Sequence, residues 1–279
     1  MNVLRSFLPI FVAATLSLGL AHEKPLIYSF QKNALSGPET LELNGFQPFT
    51  FQNGSNAELD VTVYRLRKGA TVAKLEVADR AVSESFSQPT ADTTAVFKGI
   101  LELADVIGGT HLLPSTSGLA YLDLEPGAYL ITAATGGGPG DPYKPAYLPL
   151  TVRAGERAEA PTADVTLTLS DFHFALPKKL ESGNQLWKIS NSGAEPHLTL
   201  IFKLQRGSTT KDVTTWMNDQ SGPPPFDFGT LVQAVTAGQT FYAEVELSPG
   251  TYAAVCPLPD LASGAPHFTE GMVSTFTVE

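Results

Sequence analysis

The apolar positions of this chain fall in short runs that alternate with polar ones, the period of half-buried β-strands. LTLIFKL (198–204), QTFYAEVEL (239–247) and MVSTFTV (272–278) are rich in β-branched and aromatic residues and are bounded by Gly, Pro, Asn and Ser. Two segments break the period, and each predicts a helix: roughly 94–106, around AVFKGILELADV, and 210–218. The pattern also echoes itself. NAELDVTVYRL (56–66) resembles GAEPHLTLIFKL (193–204), and LEPGAYLITA (124–133) resembles LSPGTYAAVC (247–256). Each half closes on an apolar strand, AYLPLTV ending at Val152 and MVSTFTV at Val278. Helices inserted among strands, rather than alternating with them, predict an all-β fold. The expected plan is two tandem β-sandwich domains, 22–153 and 163–279, each with one short inserted helix and joined through AGERAEAPTAD (154–164).

Residues 1–21 read as a secretory signal peptide. Arg5 precedes an apolar run from Phe7 to Leu20, and Gly19 and Ala21 are the small residues that a signal peptidase requires. No other apolar run is long enough to cross a bilayer, so no membrane span is expected after cleavage and the protein should be periplasmic or secreted in a bacterium. A formal net charge of -10 leaves no basic stripe to neutralise phosphates, which excludes a nucleic-acid surface. The chain has one cysteine, and one cannot form an internal disulfide. In an oxidising compartment such a thiol has to be buried as a small hydrophobe, paired with a partner, or held by a metal.

Its neighbours favour the metal. Cys256 ends a strand, His267 and Met272 follow in the next turn of chain, and Met272 opens the last strand. His197 begins LTLIFKL after the polar turn NSGAEP. Two imidazoles, one thiolate and a weak thioether suit both oxidation states of copper with little rearrangement, which is what fast electron transfer needs. On these residues the chain resembles the cupredoxins, the blue copper proteins. The closer likeness is to a bacterial group of exported cupredoxin-like proteins with a proline-histidine strand start (Pro196, His197) and an ending of the form PGTY…C…PD…G.PH…GMV (249–273). The resemblance covers about 163–279. It implies a Greek-key sandwich binding one copper per chain, with His197, Cys256 and His267 as strong ligands and Met272 as the axial one. The stretch from Cys256 to His267 is longer than is usual in the family, and Pro257 has no N–H to offer the sulfur. A red or green copper site, or a copper store, therefore stays open beside a blue one. In the first half the repeat puts Asp60, Ala133, Asp141 and Ala146 at the ligand positions, so that half reads as the same scaffold without the site.

Other candidates carry less. His22 would start the mature chain and could chelate copper through its free amine, with His111 or His173 as partner. His173, among aromatic neighbours, reads instead as a structural histidine. GGGPGDPYKP (136–145) lacks the ending of a phosphate loop. Glu58, Asp60 and Asp141 are single carboxylates without a hydrolase partner. Trp187 and Trp216 are expected to pack, and Met217 lies beside Trp216. Five histidines without a His-x-His pair exclude a multicopper oxidase. The reading is an exported copper-binding protein rather than an enzyme. It would carry single electrons or handle copper through a mononuclear site of two histidines, one cysteine and one methionine, and meet a protein redox or copper-exchange partner. The alternative is a metal-free two-domain β-sandwich acting as a surface, scaffold or binding protein.

Overall fold

The computed structural model describes residues 25–87, 93–136 and 142–279. The signal peptide, His22 and Asp141 lie outside the described residues. The first half runs β1 (Leu26–Gln31), β2 (Ala34–Ser36), β3 (Thr40–Asn53), β4 (Leu59–Leu66), α1 (Val72–Ser87), α2 (Thr93–Leu103), β5 (Ala104–Leu112), β6 (Ser117–Leu124), β7 (Gly127–Thr135) and β8 (Lys144–Ala158). The second runs β9 (Val165–Ser170), β10 (His173–Ala175), β11 (Lys179–Leu180), β12 (Gly183–Asn191), β13 (His197–Leu204), α3 (Thr210–Asp219), β14 (Phe226–Val235), β15 (Thr240–Leu247), β16 (Gly250–Val255) and β17 (Val273–Val278). The molecule is mostly β, with three helices and two sheets among the described residues.

The strand pairings of the second half repeat those of the first. β13 lies between β14 and β16, and β16 pairs β17, as β4 lies between β5 and β7, and β7 pairs β8. β12 pairs β9 in parallel and β15 antiparallel, as β3 pairs β1 and β6. Side chains keep the same register. Tyr129 and Tyr252, from the two PG-x-Y segments, each turn a hydroxyl back to the carbonyl four residues upstream, of Glu125 (2.7 Å) and Ser248 (2.8 Å). Asn53 and Asn191 are buried and hold matching turns. Each donates to a carbonyl four residues on and to one at the far end of a neighbouring strand, Leu113 or Val235, and accepts an N–H two residues on. β4 and β13 bury the same positions in the same order.

That register corrects one sequence match. Asn53 with Asn191, and Arg65 with Lys203 opposite the paired tyrosines, place Leu59 where His197 stands, not Asp60. Leu59 is buried, so an apolar side chain fills the ligand's place in the first half. The bonded pair Cys256 and Met272 matches the ladder partners Ala133 and Ala146 as expected.

The two halves are not separated by sheet. β15 pairs β6 through Phe241↔Leu122, Tyr242↔Tyr121 and Ala243↔Ala120, so the larger sheet runs through both, and so does one buried apolar cluster. Gly108 sits at this junction. A Cβ there would come within 2.4 Å of the Phe241 ring, so the close approach requires glycine.

Three expectations change. The first half carries two helices, not one short one, and α2 stops at Leu103 because β5 begins at once. Strand β8 continues through Ala158 and takes up part of the expected linker, pairing with β3 as far as Gly45↔Ala158. His173 is exposed rather than packed, because alternation along β10 turns Phe174 inward instead. Trp187 is fully buried edge-on to Phe276, and Trp216 packs edge-on to Phe226, both as expected.

Candidate metal centre

His197 lies at the start of β13, where alternation aims its side chain inward, and Cys256 follows β16 directly, two strands that pair side by side. The ten residues 257–266 make a stitched excursion rather than an open loop. Asp260 N–H bonds Ala265 carbonyl (2.8 Å), Pro259 bridges Pro266, and Asp260 Oδ1 accepts from the N–H groups of Ala262 and Ser263. At its neck Leu258 carbonyl accepts from His267 N–H (2.8 Å) and Cys256 carbonyl from Phe268 N–H (3.0 Å). The length of the insertion is thus spent above the neck, and the histidine returns beside the cysteine. Met272 N–H then bonds His267 carbonyl (2.9 Å), and Met272 carbonyl takes Cys256 N–H (3.2 Å).

The result is a buried cluster. His197, Cys256, His267 and Met272 are all 0% exposed. His197 Nδ1 is 3.1 Å from His267 Nδ1, which is 3.4 Å from Cys256 Sγ, and the three donor atoms lie within 4.8 Å of one another. Among the described residues this is the one group of three or more His, Cys, Asp or Glu able to hold a metal ion.

Two carboxylates that the sequence reading did not single out decide the chemistry of the imidazoles. Asp171 Oδ1 lies 3.0 Å from His197 Nε2, and Glu195 Oε2 lies 3.0 Å from His267 Nε2. An ionised carboxylate only accepts, so each ring carries its proton on Nε2 and turns a bare Nδ1 to the centre. Both carboxylates are fixed in turn. Asp171 accepts from the N–H of Ala194 (2.8 Å) and Glu195 (3.2 Å), and Glu195 accepts from Leu261 N–H in the excursion (3.1 Å). A Cβ on Gly193 would meet Asp171 Oδ1 at 2.4 Å, so the turn NSGAEP needs its glycine to admit that carboxylate. Phe172, beside Asp171, covers His267 edge-on at 5.0 Å.

Burial pushes the Cys256 thiol up to about 12, against the pull of the Leu198 and Leu258 N–H groups on its sulfur, while the Glu195 charge adds to the rise. Pro257 offers no N–H, yet the sulfur has two from its neighbours. Burial lowers His197 to about 4, opposed by its bond to Asp171 and aided by His267. Asp171 itself is held below the ordinary carboxylate range: burial works to raise it, and the Ala194 and Glu195 N–H groups and His197 outweigh that.

Donor atoms around one first-row ion, with metal–nitrogen bonds near 2.0 Å and metal–sulfur near 2.3 Å, stand roughly 3.3–3.8 Å apart. The distances here are close to that. Two bare Nδ1 atoms 3.1 Å apart repel each other, and a shared cation resolves the repulsion. The His197–Cys256–His267 cluster with Met272 beside it matches a mononuclear type-1-like copper site suited to electron transfer, one per chain. The soft sulfur and two borderline nitrogens are the donor set copper prefers in both its states.

The remaining candidates fall elsewhere. His111 bonds Asp60, Nδ1 to Oδ1 at 2.8 Å, with Glu58 at 3.8 Å. His173 is exposed on β10.

No protein-family profile matches the chain. No curated protein matches it either. Among solved structures, a dithionite-reduced auracyanin from the photosynthetic bacterium Roseiflexus castenholzii aligns over 41% of this chain and 94% of its own, at 18% identity and a TM-score of 0.28. Auracyanin A, a "blue" copper protein from Chloroflexus aurantiacus, aligns over 41% and 98% at 15% identity and 0.26. A blue copper oxidase from Nitrosomonas europaea aligns over 91% and 84% at 11% identity and 0.25. TM-scores this low do not establish a shared fold.

Proposed function

We propose that this is an exported copper protein whose second half, 163–279, is a cupredoxin-like Greek-key domain, and whose first half, 22–153, is a sandwich of the same plan without ligands. The ligands are His197 and His267 through Nδ1, Cys256 through its thiolate, and Met272 as the weak axial donor. One observation carries the reading: two histidines and the only cysteine converge in a buried site, with each far imidazole nitrogen held by its own carboxylate. A merely buried cysteine requires neither the histidines nor the carboxylates. Leu59, Ala133 and Ala146 at the corresponding first-half positions support this, since the scaffold packs there without any such donor.

Copper, when bound, supplies a one-electron couple. The chain's own residues do the rest. Asp171 and Glu195 keep the Nε2 protons in place and fix the ring planes, which raises the basicity of both Nδ1 atoms. The stitched neck holds Cys256, His267 and Met272 at one spacing, and burial excludes water. A donor set that does not move between oxidation states keeps the reorganisation for electron transfer small.

Copper titration of the purified protein with visible absorption and electron paramagnetic resonance tests this. One equivalent of Cu(II) should produce an intense thiolate charge-transfer band that Cys256→Ser abolishes. Two coppers per chain would bring His22 into the account. Absence of binding to fully reduced protein would leave a metal-free scaffold.

A further inference from the structure

Between the halves lies a cavity of about 210 Å³ whose lining includes none of His197, Cys256, His267 and Met272. Its polar side comes from the face of β4 and β7 and from α1. Asp79 is 4% exposed, and three tyrosines donate to it: Tyr64 to Oδ1 at 2.8 Å, Tyr143 and Tyr147 to Oδ2 at 2.8 and 3.1 Å. Tyr64 and Tyr143 turn their protons to the carboxylate, Tyr147 divides its own between Asp79 and the Glu76 carbonyl (3.2 Å), and Tyr143 also accepts from Ser83, so the Tyr64 oxygen is the one left as an acceptor. Tyr64 and Tyr143 line the cavity together with Asp79. Thr132, 2% exposed, also lines it, and its Oγ1 has no hydrogen-bond partner among the described residues. On the sheet Thr132 stands opposite Thr62 and one diagonal from Tyr64, close enough for one small ligand to reach both.

The charge is one-sided. Asp79 and Asp60 are the ionisable acids of the lining, no Lys, Arg or His belongs to it among the described residues, and Asp60 is already bonded to His111. Among the described residues no cation lies within ion-pair distance of Asp79; burial pushes its pKa upward despite the three tyrosine bonds and the longer-range attraction of Arg80, its neighbour on α1. A buried carboxylate without a counter-charge is costly, as is a buried hydroxyl without a partner. Phe97, Ile100, Leu198 and Leu258 form the apolar wall. At about 30 Å³ for each water displaced, the volume suits a ligand of roughly seven or eight non-hydrogen atoms.

We propose that this cavity binds a small organic monoammonium ion, its nitrogen against Asp79 and its compact apolar body against Phe97, Ile100 and Leu198. The Asp79 carboxylate and the Tyr64 oxygen select a donor, the lack of an ion-paired partner for Asp79 selects a cation, and the apolar wall selects against a hydrated metal ion. Aromatic faces beside the carboxylate add cation–π attraction. The inference is independent of the metal reading. It touches the metal site at one point, because Leu198 and Leu258 line the cavity and also give their N–H groups to the Cys256 sulfur.

Calorimetric titration of the metal-free protein with benzylamine, benzyl alcohol and benzoate tests it. Benzylamine should bind with one-to-one stoichiometry, at least about tenfold tighter than the alcohol, and benzoate should not bind. On the wild-type protein the affinity should fall as pH rises through the ligand's own ammonium pKa. Asp79→Asn should weaken binding tenfold or more and Thr132→Val severalfold, each with unchanged circular dichroism. Equal binding of amine and alcohol would overturn the proposal, as would undiminished binding in folded Asp79→Asn or no binding of benzylamine. Should Asp79→Asn fail to fold, the alcohol comparison and the pH series on the wild type decide.

Discussion

Glu195 sits two residues before His197 and yet caps the other histidine of the cluster, His267, across the site. That placement depends on the turn held by Asn191 and on the return of the excursion, neither of which is visible from spacing. The cluster of His197, Cys256 and His267 was legible because cysteine and histidine are scarce here and chemically distinctive. Carboxylates are common, so Asp171 and Glu195 gave no signal of their own; the available hint was comparison with the first half, where strand register puts Lys32 and Ala57 at their places. Glu195→Ala should weaken copper binding about 10–100-fold with the fold intact, measured by competition with a chelator. Unchanged affinity would show that the carboxylate does not position the ring. Acid–base behaviour follows from the same burial. The thiol is protonated at neutral pH, so binding releases a proton and copper affinity should rise about tenfold per pH unit, steepening below about 4 where His197 also takes a proton. For the metal-free protein the sign reverses. A thiol raised from 9.0 to about 12 contributes stability that is fully present below pH 9 and lost as pH rises towards 12. A flat alkaline melting profile would contradict the buried, protonated thiol.

Several elements of the second half were readable from the chain. β13, α3, β15 and β17 begin and end within a residue of the boundaries their alternation and punctuation suggest, because one face of each is buried and the other is not. Helix α1 was not. Its inward stripe runs Val72, Leu75, Asp79 and Val82, the two valines partly buried, and a charged residue in the third place hides the helical period; only the three tyrosine hydroxyls, from distant segments, make that aspartate a core residue. The early end of α2 has a related cause. Strand β5 carries Gly108 and Gly109, poor in strand propensity, and glycine there answers to neighbours rather than to the strand itself. A Cβ on Gly109 would lie 1.9 Å from the Val61 carbonyl, whereas one on Gly69 meets nothing within 4 Å. Gly109→Ala should therefore cost about 2–3 kcal/mol in denaturant unfolding, and Gly69→Ala, with φ of +88°, about 1 kcal/mol. Equal losses would mean that backbone conformation alone, not the strand contact, sets the cost.

Over the whole molecule, the repeat was legible and the join was not. Nothing in the chain announces that Tyr242 and Tyr121 stand opposite each other and carry one sheet through both halves. With a shared sheet and a continuous core, the halves should melt in a single transition whose calorimetric and van't Hoff enthalpies agree. Two resolved transitions would contradict that coupling. This frame presents one buried donor set per chain among the described residues. X-ray absorption at the copper edge of the protein loaded with one equivalent is the most direct measurement. One thiolate sulfur and two imidazole nitrogens are expected in the inner shell of the copper. A shell of nitrogen and oxygen alone, with Cys256 still titrating as a free thiol, would contradict that expectation.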